Sequence, residues 1–374
     1  MSPDAGTETD AGTGTVVGTD TGAGTVDVVA LGESMVTFLP TRPGRLADVP
    51  SFERGIGGAE SNVACVLARS GHSARWVGRV GADGFGDHLV EAIGAYGVDT
   101  SAVRRDPGRP TGVYFRTAGD RATDAHEVAY YRAGSAASAM TAGNTDLAAA
   151  RSGRVLHLSG ITAALSEGCL DLMRELTAPR TGRPLVSFDV NHRPGLWRGH
   201  PEGPHVLLDL ARRADIVFVG DDEARDAWGL RGARAIRAAL PEPDVLVVKY
   251  GGDGAVVFDG SGTEAPEGTE DPTGTATFVR ALGVDVVAAV GAGDAFAAGF
   301  LSATLRGLPA RDRLRHGHLT AAAALTVPGD LGEPPARGLA DRLAALDDRA
   351  WETLRLGPGW TEADPRAVEE VRTP

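Results

Sequence analysis

From Val26 onward the chain alternates short apolar runs with longer stretches whose apolar residues recur at helical spacing, a pattern that predicts strands interleaved with helices. DVVALGESMVTFL carries a β-branched run, a Gly break and an alternating run, which predicts two strands joined by a turn. In GGAESNVACVLARSG, small and apolar residues keep helical spacing from Ala59 to Leu67, and Gly71 is placed to cap the helix. ARWVGRVG then reads as a strand and GDHLVEAIGAYG as a helix. GVYFRTAGDRATDAHEVAYYR has two alternating runs around a polar Gly/Asp turn, the pattern of a hairpin.

After Arg154 the apolar runs become short and unbroken: RVLHLSG, PLVSFDVN, ADIVFVG and DVLVVKYGG, with helix-length stretches between them. Such alternation predicts an α/β fold whose parallel sheet is covered by helices on both faces. Ligands of these sheets sit at the carboxyl ends of the strands, and here those ends carry DVNHR, GDDE, KYGGDG and GAGD. The alternating segments near 33–56 and 111–131 fit neither the sheet nor its helices and read as a small separate lid.

Composition narrows the partners. The 374 residues are 42% hydrophobic and 23% charged, enough apolar material for a large core. A formal net charge of -13 argues against nucleic acid or an anionic membrane surface as partner. Cys65 and Cys169 stand far apart in no metal-like spacing, which fits a cytoplasmic protein without disulfides. No apolar run has transmembrane length. Residues 1–25 are Gly/Thr-rich and read as a disordered tail, and Ser261–Thr275 as an exposed loop.

Three glycine loops carry candidate chemistry. In GAGDAFAAGF, Gly291 and Gly293 free backbone N–H groups to face an anion, and the following helix adds the positive end of its dipole. Asp294 stands at that helix mouth, where the dipole favours its ionised form, as a base for a substrate hydroxyl or as an ordinary cap. KYGGDG, with Lys249, Gly251, Gly252 and Gly254, reads as a tight hairpin, a nucleotide-edge loop, or both. Gly57 and Gly58 precede a helix start able to hold a polar ligand, while Glu60 and Asn62 read equally well as surface residues of its first turn.

With these loops in this order, the chain from about Val26 to Pro335 resembles the ribokinase-like (PfkB) carbohydrate kinases, whose two signatures correspond to GGAESNVACVLARSG and GAGDAFAAGF. The resemblance implies a three-layer α/β fold with a mostly parallel sheet and a β-sheet lid over residues 26–345, followed by an extension at 346–374. It implies ATP and Mg²⁺ as cofactors, Asp294 as catalytic base, and Gly291, Ala292 and Gly293 as donors to the γ-phosphate. It makes Lys249–Ala255 the nucleotide turn, puts His318 near the adenine, and gives Glu223 an indirect, water-mediated role at the metal.

VAYYRAGSAAS, DVNHRPGLW and HLSGITAALS are similar to segments of the 2-keto-3-deoxygluconate kinase branch. That likeness implies a sugar-acid substrate held by Gly58, Tyr114, Tyr130, Arg132, Asn191, Arg193 and Asp330. Planar guanidinium groups recognise a carboxylate by paired hydrogen bonds, which suits Arg132 and Arg193. The competing readings are a salt bridge from Arg193 to Asp189 and simple in–out alternation of Tyr130 and Tyr131. A kinase of fructose, ribose or a nucleoside-like sugar, and a non-catalytic sugar-acid sensor, are the alternative functions. Relatives pair their lids, so a homo-oligomer is expected by the same resemblance.

Two departures stand out. Ala288 and Ala289 occupy positions where relatives carry Asp and Thr or Pro, which removes a cation-binding carboxylate beside the anion loop. Gly220-Asp221-Asp222-Glu223 keeps the Glu of an N-x-x-E motif without its Asn, leaving Asp221 and Asp222 as other candidates for the metal shell.

Overall fold

The computed structural model describes residues 24–117, 127–198, 202–260 and 275–362. The N-terminal segment up to residue 23, the hairpin turn at 118–126 and most of the Ser261–Thr275 loop lie outside the described residues.

Eight strands form the main sheet, in the order Thr275–Val279, Ala255–Asp259, Val245–Lys249, Ile216–Gly220, Leu185–Asp189, Gly153–Ser159, Val26–Leu31 and Ala74–Val77. The first two pairings are antiparallel and the remaining five parallel. Burial on both faces explains the unbroken apolar runs: every residue of Ile216–Gly220 is buried. Alternate residues feed two cores, as the period of two requires. Val28, Ala30, Phe218 and Val247 pack with the helices Ala59–Arg69, Ala292–Leu305 and Ala310–Leu325. Val29, Leu31, Val217 and Leu246 pack on the other face with Glu167–Thr177 and Gly203–Arg212.

ARWVGRVG divides in two. Ala74–Val77 joins the main sheet, and Arg79–Gly81 pairs instead with Arg104–Asp106. The break falls at Gly78, where a Cβ would meet the Trp76 ring. Trp76 is fully buried and its indole nitrogen donates to the carbonyl of Gly32 at 3.2 Å.

The lid is a second sheet in the order Phe52–Gly57, Met35–Pro40, Val113–Arg116 and Val128–Tyr131. Its alternation is functional in consequence. Tyr114 and Arg116 turn inward and are buried, while Phe115 turns the other way, stacking on Phe38 at 4.7 Å and meeting Phe52 and Tyr131 edge-on. Beyond residue 345, the helix Asp348–Thr353 and the strand Arg355–Leu356 pack on the body. Trp351 is buried there, its indole nitrogen donating to the Arg280 carbonyl at 2.9 Å.

Candidate active site

Between the lid and the carboxyl ends of the central strands lies a cavity of about 880 Å³. Its floor takes Asp189 and Lys249 from strand ends and Glu223 from the helix after Gly220; its roof takes Tyr114, Arg116, Tyr130 and Arg132 from the lid side.

The reactive end is built by the start of Ala292–Leu305. Gly291 has φ 77°, a left-handed conformation, and a Cβ on it would collide with the carbonyl of Asp330. The first helical bond runs from Ala295 N to Gly291 O at 2.9 Å, so the N–H groups of Ala292, Gly293 and Asp294 have no acceptor within the helix. Asp294 Oδ2 accepts from Asn62 Nδ2 at 2.8 Å. Burial pushes the Asp294 carboxyl up to about 7, with Asp189 adding to the shift and Asn62, Arg193 and Lys249 opposing it. The helix dipole alone would favour the ionised form; here desolvation outweighs it.

Lys249 joins these groups. Its Nζ donates to Asp189 at 2.9 and 3.2 Å and lies 3.7 Å from where a Cβ on Gly293 would stand. Burial works against the ammonium, yet Asp189, Glu223 and Asp294 hold its pKa above the ordinary lysine value. Glu223 caps its own helix by accepting from Gly220 N at 2.9 Å, and Arg193 approaches its other oxygen at 3.5 Å. Burial raises the Glu223 carboxyl as well, against the pull of Lys249.

At the lid end of the cavity, Arg132 pairs with Glu33 and lies 5.6 Å over the Tyr130 ring. Glu33 also accepts from Ser135 at 3.1 Å, and its burial keeps the carboxyl above the usual range despite Arg132. Tyr114 and Arg116 both donate to Asp330 at 2.9 Å. Asn191 is held at φ 42°, the one positive value at a non-glycine among the described residues, and its buried Oδ1 has no partner. Unusual backbone of this kind persists where the surroundings enforce it, often at binding sites.

Residues 26–336 match the pfkB family carbohydrate kinases. The chain belongs to that family. It is 34% identical over 326 residues to a Bacillus subtilis protein named 2-dehydro-3-deoxygluconokinase, covering 86% of this chain and 96% of that one. A Thermoproteus tenax protein of the same name is 32% identical over 308 residues, covering 82% and 90%. A Pyrococcus horikoshii sugar kinase solved in complex with ATP superposes with a TM-score of 0.71 at 24% identity, covering 87% of this chain and all of that one. The ribokinase-like α/β fold with its lid is therefore the architecture found, and this chain is a carbohydrate kinase.

Most of the kinase's expected site residues come together in the one cavity: Gly58, Tyr114, Tyr130, Arg132, Asn191, Arg193, Glu223, Lys249, Gly291, Gly293, Asp294 and Asp330 all line it. Ala292 contributes only as part of the helix start. Gly251 and Gly252 lie exposed in the turn of an antiparallel hairpin, and neither lines the cavity. Gly254 has φ 137°, and a Cβ on it would collide with the Val279 carbonyl and Phe278, so the hairpin requires glycine there. His318 is neither at the cavity nor on the surface. It is buried against the edge strand, Nε2 3.3 Å from the Val279 carbonyl and the ring edge-on to Phe296, and burial depresses its pKa to about 4.

The Arg193–Asp189 pair does not form, because Lys249 takes Asp189 and Arg193 turns to Glu223. Tyr130 and Tyr131 do alternate, and Tyr130 is the one that faces the cavity. Asp221 accepts from Gly232 N at 2.7 Å, and neither it nor Asp222 reaches the cavity. Glu60 and Asn62, read as surface candidates, are both buried. Asn62, left open between site and surface by the sequence, lines the cavity, and so do Glu33 and Arg116, which the motifs did not single out. Asn62 sits one turn into a helix whose first residue, Ala59, also lines the cavity, and Arg116 shares the inward face of its strand with Tyr114; those spacings were the available signals.

Proposed function

We propose that this kinase transfers the γ-phosphoryl group of ATP to the 6-hydroxyl of 2-keto-3-deoxygluconate, forming 2-keto-3-deoxy-6-phosphogluconate and ADP. One observation carries the reading: a single cavity holds a carboxylate with a pKa of about 7 beside unpaired helix N–H groups, and two guanidinium groups, Arg132 and Arg193, for a carboxylate-bearing sugar. The names of the two bacterial and archaeal relatives agree with it.

In this mechanism Asp294 takes the proton of the 6-hydroxyl as its oxygen bonds to the γ-phosphorus and the bond to the ADP oxygen breaks. The amides of Ala292, Gly293 and Asp294 face the charge on the transferring group, and Lys249 adds a fixed cation next to them. Asn62 keeps the carboxylate aimed. Arg193, held only loosely and with its side chain 53% exposed, is free to turn onto the substrate carboxylate.

No group of three His, Cys, Asp or Glu side chains is arranged to hold a metal among the described residues. Glu223 at the cavity fits a different mode, in which its carboxylate would hold, through water, an Mg²⁺ that comes with the phosphates. Bound in that way, Mg²⁺ would supply neutralisation of phosphate charge. Phe278, half-exposed against Gly254, offers apolar surface for the base beside the hairpin turn. No helix of the described residues is long and apolar enough to cross a membrane. Both cysteines are free and buried, and on that ground we place the enzyme in the cytoplasm.

Coupled ADP-release assays over a panel of sugars test the assignment. kcat/KM for the keto-deoxy acid is expected at least 100-fold above fructose and ribose; the reverse order overturns it. Arg193→Ala should raise KM for the acid about tenfold or more with a smaller effect on kcat, whereas a neutral-sugar kinase would not respond.

A further inference from the structure

Asp330 reaches the cavity with both carboxylate oxygens engaged. Oδ2 accepts from the Tyr114 hydroxyl and Oδ1 from Arg116 Nη2, each at 2.9 Å, and the same Nη2 donates to the Pro328 carbonyl at 3.0 Å. The side chains of Arg116 and Asp330 are 2% and 5% exposed, so a complete ion pair is enclosed between the lid and the body. Burying such a pair brings no general gain in stability over apolar packing, and what it holds in place is the better guide to its role.

On one side it holds the lid, because Arg116 and Tyr114 lie two residues apart on the inner face of Val113–Arg116. On the other it holds the phosphate end. The backbone carbonyl of Asp330 packs so closely on Gly291 that a side chain there would overlap it. Gly291 in turn opens the helix whose free N–H groups and Asp294 form the reactive end. Fixed contacts thus run from the lid strand through Arg116 and Asp330 to the anion-binding turn.

We propose that Arg116 is a positioning residue for phosphoryl transfer, fixing the Pro328–Asp330 turn and through it the Gly291–Asp294 helix start. The inference rests on the reading of this cavity as a phosphoryl-transfer site and is independent of which sugar it takes. Arg116 is 2% exposed and committed to both Asp330 and the Pro328 carbonyl, whereas Arg193 is 53% exposed, so Arg116 is not counted as a third anchor for the substrate carboxylate.

Arg116→Met alone strands the Asp330 carboxylate in the interior and risks the fold. The deciding variant is Arg116→Met with Asp330→Asn, which removes both charges at similar volume; Arg116→Lys keeps the charge without the fork. Hydrogen exchange of peptides spanning 288–296 is expected to quicken at least tenfold in the double variant and less in Arg116→Lys, with the helix Glu167–Thr177 unchanged as a control. kcat is expected to fall at least 30-fold with KM for ATP within threefold, and Arg116→Lys to recover part of it. Unchanged exchange at 288–296 overturns the proposal, as does a loss confined to KM for the sugar acid. If the wild-type enzyme turns over none of the sugars, the functional reading fails, while the exchange measurement still decides whether Arg116 fixes the Gly291–Asp294 helix start.

Discussion

At Asp294, two influences oppose each other. The helix start favours a carboxylate, and burial, with Asp189 adding to it, disfavours one; the pKa settles at about 7. A base poised there suits proton transfer at neutral pH. The same shift carries a stability consequence whose sign is fixed. An unfolded Asp titrates near 3.8, so between that value and about 7 the folded state binds the proton more tightly. Stability therefore falls as pH rises through this window and levels off above it. Asp294→Asn should cost activity on the order of a thousandfold, and its melting temperature should exceed that of the wild type at pH 8, with the gap closing toward pH 4. Calorimetry at the two pH values, alongside the ADP assay, checks both. The place of this carboxylate was legible in the sequence, because GAGD puts it at a helix mouth. Its pKa was not, because burial sets it, and Asn62 and Asp189, which modulate it, lie 232 and 105 residues away along the chain.

The helix Ala59–Arg69 shows the same limit for an element. Its spacing and its Gly71 stop were readable, but its first turn looked as much like surface as site. In the fold Glu60 is fully buried: Ser159 and Thr162 donate to its Oε1 at 2.8 and 2.7 Å, and Oε2 has no partner. A Cβ on Gly32 would collide with this carboxyl, so the end of the first strand and the start of the helix fit only without a side chain there. Those partners come from the end of the strand Gly153–Ser159 and the helical turn after it, 99 and 102 residues away, which is why local pattern could not place Glu60 inside. Burial pushes its pKa to about 7 from an ordinary 4.5. The folded state again holds the proton more tightly, and stability declines as pH rises between those values. A shift of that size corresponds to roughly 3 kcal/mol at most. Glu60→Gln is expected to match the wild type in urea unfolding at pH 4.5 and to exceed it by about 1–3 kcal/mol at pH 8. A variant less stable than the wild type at pH 8 would show that the ionised carboxylate is needed.

For the molecule as a whole, the unbroken apolar runs gave away a parallel sheet, and the alternating segments gave away the lid. The order of the strands stayed hidden. Ala74–Val77, second of the main-sheet strands in sequence, takes one edge, and the hairpin after Lys249 adds two antiparallel strands at the other. Neither follows from periodicity, which reports burial and not neighbours. The lid raises the last question at this scale, because a four-stranded sheet with one face on the cavity has a second face to cover. That face gathers Phe38, Phe52, Phe115 and Tyr131, with Phe85 edge-on to Phe38. Tyr131 remains 65% exposed although its ring meets Phe115. Aromatic surface of this kind is better buried against a second copy than left in water, since each ring offers a large apolar area. Wild-type enzyme should therefore sediment as a dimer at micromolar concentration. Tyr131→Glu, which sets a charge on that face without touching the cavity, should weaken association at least tenfold. A wild-type protein that sediments as a monomer across that range would show instead that this lid works alone.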